Sequence, residues 1–260
     1  MRVALVTGGR RGLGHEAARA LSAAGWSVAV TGRDAGALEE VVAAGEAALA
    51  LPGDATDPTA VTEAVRRTAA ELGPVDLLVA NAGAFAAGGR LWETDPDLWW
   101  RDVEVNLRGP ALALHATLPA MVARGAGRVV LMGSGFGTVP TAGASAYASS
   151  KAGLMRLADS VAAELEGTGV VLVTVSPGMV PTDMTHGFPA GFLALRPDLA
   201  EPTPEAWTPP EAFVALLLRI AAGELDALHG RFVRARDDLD LAMAADRLEQ
   251  GTLRLVPYPA

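Results

Sequence analysis

Short runs of Val, Leu and Ala recur along this chain with longer helical patterns between them, and that alternation narrows the fold more than any other feature. The runs are Val3 to Thr7, Ser27 to Thr31, Val75 to Asn81, Arg128 to Ser134 and Val170 to Ser176. Each is apolar at nearly every position, as strands are when both faces of their sheet are covered. Gly14 to Ala24, Ala35 to Ala44, Pro58 to Leu72, Asp97 to Arg124 and Tyr147 to Glu166 carry helical patterns between them. Strands separated by helices must be joined by crossovers, and crossovers make them parallel. The expected fold class is therefore α/β: a doubly wound parallel sheet with helices on both faces, three layers in all. A sixth strand is expected near Leu49 to Leu51.

With 260 residues, half of them hydrophobic, the chain is long enough for one well-covered core and short for two, so residues 1–260 are expected to form a single domain. The formal net charge of -9 argues against a surface that neutralises nucleic-acid phosphates or anionic lipid. There is no cysteine, which excludes disulfides and thiolate metal sites, and His15, His115, His186 and His229 show no metal-ligand spacing. No metal is expected, and any cofactor is expected to be organic. The start, Met1-Arg2-Val3-Ala4-Leu5-Val6, has a strand pattern rather than a signal-peptide layout, and the apolar runs are short, so the expectation is a cytoplasmic protein without a membrane span.

Two stretches carry chemistry. At the end of the first strand stands Thr7-Gly8-Gly9-Arg10-Arg11-Gly12-Leu13-Gly14, followed at once by a helix. Glycines there let the backbone turn sharply and approach a pyrophosphate, whose charge the helix N-terminus favours. The second stretch is Ser145-Ala146-Tyr147-Ala148-Ser149-Ser150-Lys151, which puts a phenol and an ammonium four residues apart on one face of a helix. A nearby positive charge favours the phenolate, so Tyr147 becomes usable in proton transfer nearer neutrality. Taken alone, Tyr-x-x-x-Lys is a common surface pair, and a glycine-rich turn is a common turn.

Together, Thr-Gly-x-x-x-Gly-x-Gly and Tyr147-x-x-x-Lys151 resemble the short-chain dehydrogenase/reductase family, whose domain is Rossmann-type. Further motifs follow in the family's order over Val3 to about Thr182: Asn81-Ala82-Gly83 after a strand, Asn106 within a helix, Ser134 thirteen residues before Tyr147, and Pro177-Gly178 followed by Thr182. The resemblance implies an oxidoreductase that moves a hydride between a nicotinamide and a ketone or secondary alcohol. It implies Tyr147 as general acid and base, Ser134 as a second donor to the substrate oxygen, Lys151 as the group that lowers the Tyr147 pKa and holds the nicotinamide ribose, and Asn106 as the support of a water beside Lys151. For the cofactor it implies Thr7, Gly8, Arg10, Arg11, Gly12, Leu13, Gly14, Arg33, Asp54, Ala55, Asn81, Ala82, Gly83, Tyr147, Lys151, Pro177, Gly178, Val180 and Thr182, with Asp54 at the adenine. Relatives that prefer NAD carry an acidic residue at the end of the second strand, where this chain has Gly32. Arg33 and Arg11 occupy the places where NADP-preferring relatives carry basic residues, so NADP(H) is favoured and NAD(H) is possible, with Asp34 as an alternative partner of the ribose.

The segment Pro181 to Pro210 holds seven of the prolines and is expected to be a loop or lid. Phe188, Phe192, Leu193, Leu195 and Trp207 suggest an apolar pocket wall and thus a largely apolar ketone or alcohol. Trp92, Trp99 and Trp100 are expected in the core or a subunit interface, and the helices Asp97 to Arg124 and Tyr147 to Glu166 offer second apolar faces to a homodimer or homotetramer. The C-terminal end departs from the family: its last strand is expected at Arg231 to Ala235, followed by a divergent tail at 239–260. A non-catalytic dinucleotide-binding redox sensor on the same fold is the alternative, which Ser134, Tyr147, Lys151 and Asn106 count against, since a sensor needs only the glycine loop.

Overall fold

In the computed structural model, residues 1–237 and 239 are described. The strands are β1 (Val3–Thr7), β2 (Ser27–Gly32), β3 (Leu49–Pro52), β4 (Leu77–Ala80), β5 (Gly127–Met132), β6 (Val170–Ser176) and β7 (Phe232–Arg234). They form one sheet in the order β3-β2-β1-β4-β5-β6-β7, and every neighbouring pair is parallel. Chain order reverses between β1 and β4, so a crevice opens at their C-terminal ends. The helices are α1 (Gly12–Ala23), α2 (Ala35–Ala43), α3 (Pro58–Glu71), α4 (Pro96–Val103), α5 (Gly109–Arg124), α6 (Ser145–Glu164), α7 (Asp183–His186), α8 (Ala190–Leu193) and α9 (Pro210–Ala222).

Burial sorts the strand residues by parity, as a two-period pleat requires. Ala4 and Val6 of β1 join Leu21 of α1, Leu38 of α2 and Phe213 and Leu217 of α9 in one apolar layer. Leu5, between them, joins Ala64 of α3, Met121 of α5 and Leu154 of α6 in the other. Each such fully buried large side chain contributes about 1.5–3 kcal/mol, which offsets the entropy of ordering the chain. Helix starts are legible locally: Asp57 before Pro58 and Asp95 before Pro96 each accept main-chain N–H groups of the first turn.

Several expectations need correction. The helix expected over Asp97 to Arg124 is three pieces, because a π-turn over Glu104–Arg108 interrupts it between α4 and α5. Helix α9 adds to the expected set; its Phe213, Leu216, Leu217 and Ile220 have helical spacing and are all buried. The proline-rich segment from 181 to 210 is no plain loop; it carries α7, α8 and 3-10 turns at Pro197–Leu199 and Pro204–Ala206, and Phe192 within it is fully buried. Trp92 and Trp100 are not core residues, being 81% and 58% exposed, whereas the Trp99 indole donates to the Ser145 hydroxyl at 3.0 Å. On α5 and α6, where the sequence places a subunit contact, Leu114, Leu118, Leu157 and Val161 line an apolar groove. The tail at 239–260 lies, Leu239 apart, outside the described residues. Among the described residues, no helix is long and apolar enough to cross a membrane.

Candidate active site

The crevice at the strand ends is lined by the glycine-rich turn after β1, the ends of β2 to β5, the first turn of α6 and the start of the segment after β6. One of its walls is backbone. Gly8 and Gly12 have φ of +69° and +55°, a region that side-chain-bearing residues rarely adopt. At Gly14 a Cβ would lie 2.2 Å from the Gly8 carbonyl oxygen and 2.4 Å from Asn81 Nδ2, so only a glycine fits. Asn81 locks the turn from behind: its side chain donates to the carbonyls of Thr7 (3.0 Å) and Gly8 (3.2 Å), while the Thr7 hydroxyl accepts from the main chain of Asn81 and Ala82. Arg11 caps α1 in extended conformation with no side-chain cap bond, which leaves the first-turn N–H groups facing the crevice without a side-chain acceptor. A bare glycine cradle at a helix N-terminus fits a pyrophosphate.

Just beyond the end of β3, Asp54 accepts from the main chain and hydroxyl of Thr56, both at 2.8 Å, and from Arg101 at 2.5 Å. Burial pushes its carboxyl up, but those hydrogen bonds and the Arg101 charge outweigh it, and the net shift is downward. At the end of β2, Gly32 and Arg33 line the crevice, and the Asp34 carboxylate is turned to α2, where it accepts from Ala37. Arg10 leans toward Asp34 at 3.8 Å, and Arg11 pairs with Asp183 of α7 at 2.8 Å. The two arginines singled out in the sequence, Arg11 and Arg33, are thus differently placed, Arg11 being paired with a carboxylate of α7.

At the other end stand Tyr147 and Lys151, both lining the crevice from one face of α6. Lys151 is 4% exposed; its ammonium donates to the Met132 carbonyl at 2.8 Å and lies 5.5 Å from the centre of the Tyr147 ring. Burial lowers its pKa to about 8. The sequence reading expects Lys151 to lower the Tyr147 pKa, yet the phenol is shifted up: burial raises it most, an interaction with Ser134 lowers it, and the Asp102 charge raises it again. Burial is the largest influence on the phenol, and it outweighs the hydrogen bond with Ser134. Ser134 lies two residues beyond the end of β5, and its hydroxyl accepts from Phe136 N.

Asn106 is fully buried, and both ends of its amide are engaged by Ala84: Oδ1 accepts from Ala84 N at 2.9 Å, and Nδ2 donates to Ala84 O at 2.7 Å. These two bonds tie the Asn106 side chain to the loop after β4, within the π-turn that separates α4 from α5. Ala55, Ala82, Gly83, Leu13, Pro177 and Thr182 line the crevice, whereas Thr7, Gly14, Ser134, Gly178 and Val180 are not in its wall. Gly178 has φ +82°, and a Cβ there would meet the Thr208 hydroxyl at 2.1 Å; Val180 is buried. Phe188 and Phe192 pack with Phe85, Phe136 and Tyr147 in one aromatic cluster, so Phe192 anchors the lid rather than lining an open wall. Arg101 and Asp102 also line the crevice, and the sequence reading missed both. The available signal was position: Asp102 is one helical turn before Asn106.

The family model described as short chain dehydrogenase matches residues 2–191. The chain belongs to that family. Among relatives, a short chain dehydrogenase of Pseudocercospora fijiensis is 36% identical over 96% of this chain and 85% of its own. Cis-4-hydroxycyclohexanecarboxylate dehydrogenase of Sinomonas cyclohexanicum is 38% identical over 74% of this chain and 79% of its own. The crystal structure of a single-substitution variant of actinorhodin polyketide ketoreductase with NADPH superposes with a TM-score of 0.81 at 28% identity, covering 90% of this chain and 95% of that one. As a short-chain dehydrogenase the protein is an oxidoreductase that works with NAD(P)(H) on a small molecule, which sets the redox-sensor alternative aside.

Proposed function

We propose that this short-chain dehydrogenase reduces a largely apolar ketone, or oxidises the matching secondary alcohol, with Tyr147 as acid and base and NADP(H) as the favoured cofactor. The observation that carries the reading is the Tyr147 phenol, which interacts with Ser134 and lines, with Lys151, the same crevice as the glycine turn. When bound, the nicotinamide supplies or accepts the hydride. The protein's own part is proton transfer and orientation. The Ser134 and Tyr147 hydroxyls hold the carbonyl oxygen, Tyr147 delivers the proton, and Lys151 holds the ribose and the local positive charge. The raised phenol pKa keeps Tyr147 protonated, as the reductive direction needs. The test is a screen of ketones with NADPH and of secondary alcohols with NADP⁺, followed by cofactor absorbance; no turnover of any ketone or alcohol would refute the reading.

Two consequences can be measured. Lys151 is charged below about pH 8 and neutral above it. Reduction should therefore hold through neutral pH and decline as pH rises through that value, with cofactor affinity declining in parallel. A profile flat to about two pH units above it would show that the Lys151 charge is not used. The second concerns cofactor choice. Gly32 puts no carboxylate at the end of β2, the Asp34 carboxylate is turned to α2 and faces Arg10 at 3.8 Å, and Arg33 in the crevice wall would attract a 2′-phosphate. Arg33→Ala should weaken NADPH about tenfold or more, the loss of a charged hydrogen bond, and barely change NADH. Equal wild-type affinities for the two cofactors, by fluorescence titration, would overturn the preference.

A further inference from the structure

Asp102 is a carboxylate with no exposed surface on the inner face of α4, and proton transfer gives it no part. Burying such a charge is costly unless it is hydrogen-bonded. Its partners are all main-chain: Ala86 N donates to both oxygens at 2.9 and 3.1 Å, and Ala87 N donates at 2.8 Å. One turn further on, Asn106 holds Ala84 in the same way. Phe85, between these clamped residues, is turned to the other side and stacks on the Tyr147 ring, with centroids 4.8 Å apart and planes 16° from parallel. The strap continues into the lid: a Cβ on Gly88 would come within 2.5 Å of Pro189 Cβ and 2.9 Å of Phe192 Cβ, and Phe85 itself touches Phe192 at 4.9 Å between centroids.

We propose that Asp102 is a positioning residue for Tyr147, acting by clamping the 84–87 strap so that Phe85 stays stacked on the phenol. Oδ2 accepts from both Ala86 and Ala87 and Oδ1 accepts from Ala86 as well, and the carboxylate makes these bonds charge-assisted, the stronger kind. Its charge also reaches the phenol and opposes formation of phenolate, after burial the second influence that keeps Tyr147 protonated. Among the described residues the charged groups around the ring are Asp102 from α4 and Lys151 from α6; Ser134, Phe136, Met184 and Phe188 complete the surroundings from the end of β5 and the lid.

The inference rests on the reading of Tyr147 as acid and base, so its test has one arm that needs no substrate. In the kinetic arm, Asp102→Ala lowers kcat about 10- to 100-fold, the cost of a small misplacement of the reacting group, with NADPH Kd little changed. Asp102→Asn, which retains one acceptor, falls between wild type and Asp102→Ala, and it carries the test if the alanine variant does not fold. Phe85→Leu has a comparable effect with Asp102 intact, and the double variant is no worse than the worse single one, because the two act in series. In the second arm, phenolate absorbance is titrated, with Tyr147 read as the difference from Tyr147→Phe; Asp102→Asn ionises at lower pH than wild type. Unchanged kcat in both Asp102 variants, independent multiplication of the Asp102 and Phe85 effects, or an unmoved phenolate midpoint would each overturn the proposal.

Discussion

Tyr147→Phe should abolish nearly all turnover while leaving the protein folded and able to bind cofactor. The substitution deletes one hydroxyl from a ring already held by stacking on Phe85 and edge contact with Phe136, so little packing is lost. What is lost is the proton donor, and positioned general acids contribute roughly 10²–10⁴-fold. The expected signature is therefore a fall in kcat of that order with cofactor Kd changed by no more than about twofold, the mark of a group used only in the transition state. Steady-state assays with a good ketone substrate and a parallel cofactor titration measure the two separately. A variant that kept more than about one tenth of the wild-type rate would place the acid elsewhere, since even a weak general acid is worth more.

Gly14→Ala should be the most damaging single-methyl change in the chain. The added Cβ would fall 2.2 Å from the Gly8 carbonyl oxygen and 2.4 Å from the Asn81 amide, both parts of the phosphate turn itself. Neither is the free end of a flexible side chain, because Asn81 is tied to the main chain of residues 7 and 8. Relief requires the turn to open, which costs about 1–3 kcal/mol or more as overpacking and removes the cradle that fits the pyrophosphate. Thermal melting should show a drop of about 2–4 °C for each kcal/mol in a chain of this class, and cofactor titration a loss of about 100-fold or more. Gly36→Ala is the control. It lies near the start of α2, where the nearest atom to a new Cβ is 3.7 Å away, so stability should hold or rise. Wild-type cofactor affinity in Gly14→Ala would mean that the close approach of turn and helix is not what shapes the cradle.

Much of this molecule was legible in the sequence, and the reason lies in which forces are local. The buried parallel strands declared themselves as unbroken apolar runs because both faces of each strand are covered, and Leu5 and Val6 serve opposite layers while being equally hidden. The glycine turn and the Tyr147–Lys151 pair were legible because backbone conformation and four-residue spacing on a helix are set within a few residues. Tertiary packing decided the rest. The π-turn that separates α4 from α5 coincides with Asn106 reaching Ala84, a contact 22 residues back in the chain that no helical periodicity encodes. The direction of the Tyr147 shift depended on the burial of the ring, and Asp102, arriving from another helix, added to it. Arg11 looked like a phosphate ligand from its place beside Gly12, and only the folded chain brought Asp183 to it across 172 residues. Strand positions, glycine turns and the spacing of Tyr147 and Lys151 follow from local chemistry; the order of strands in the sheet and the charge felt by each ionisable group are sums over neighbours that sequence distance does not reveal, and three-dimensional packing alone determined them.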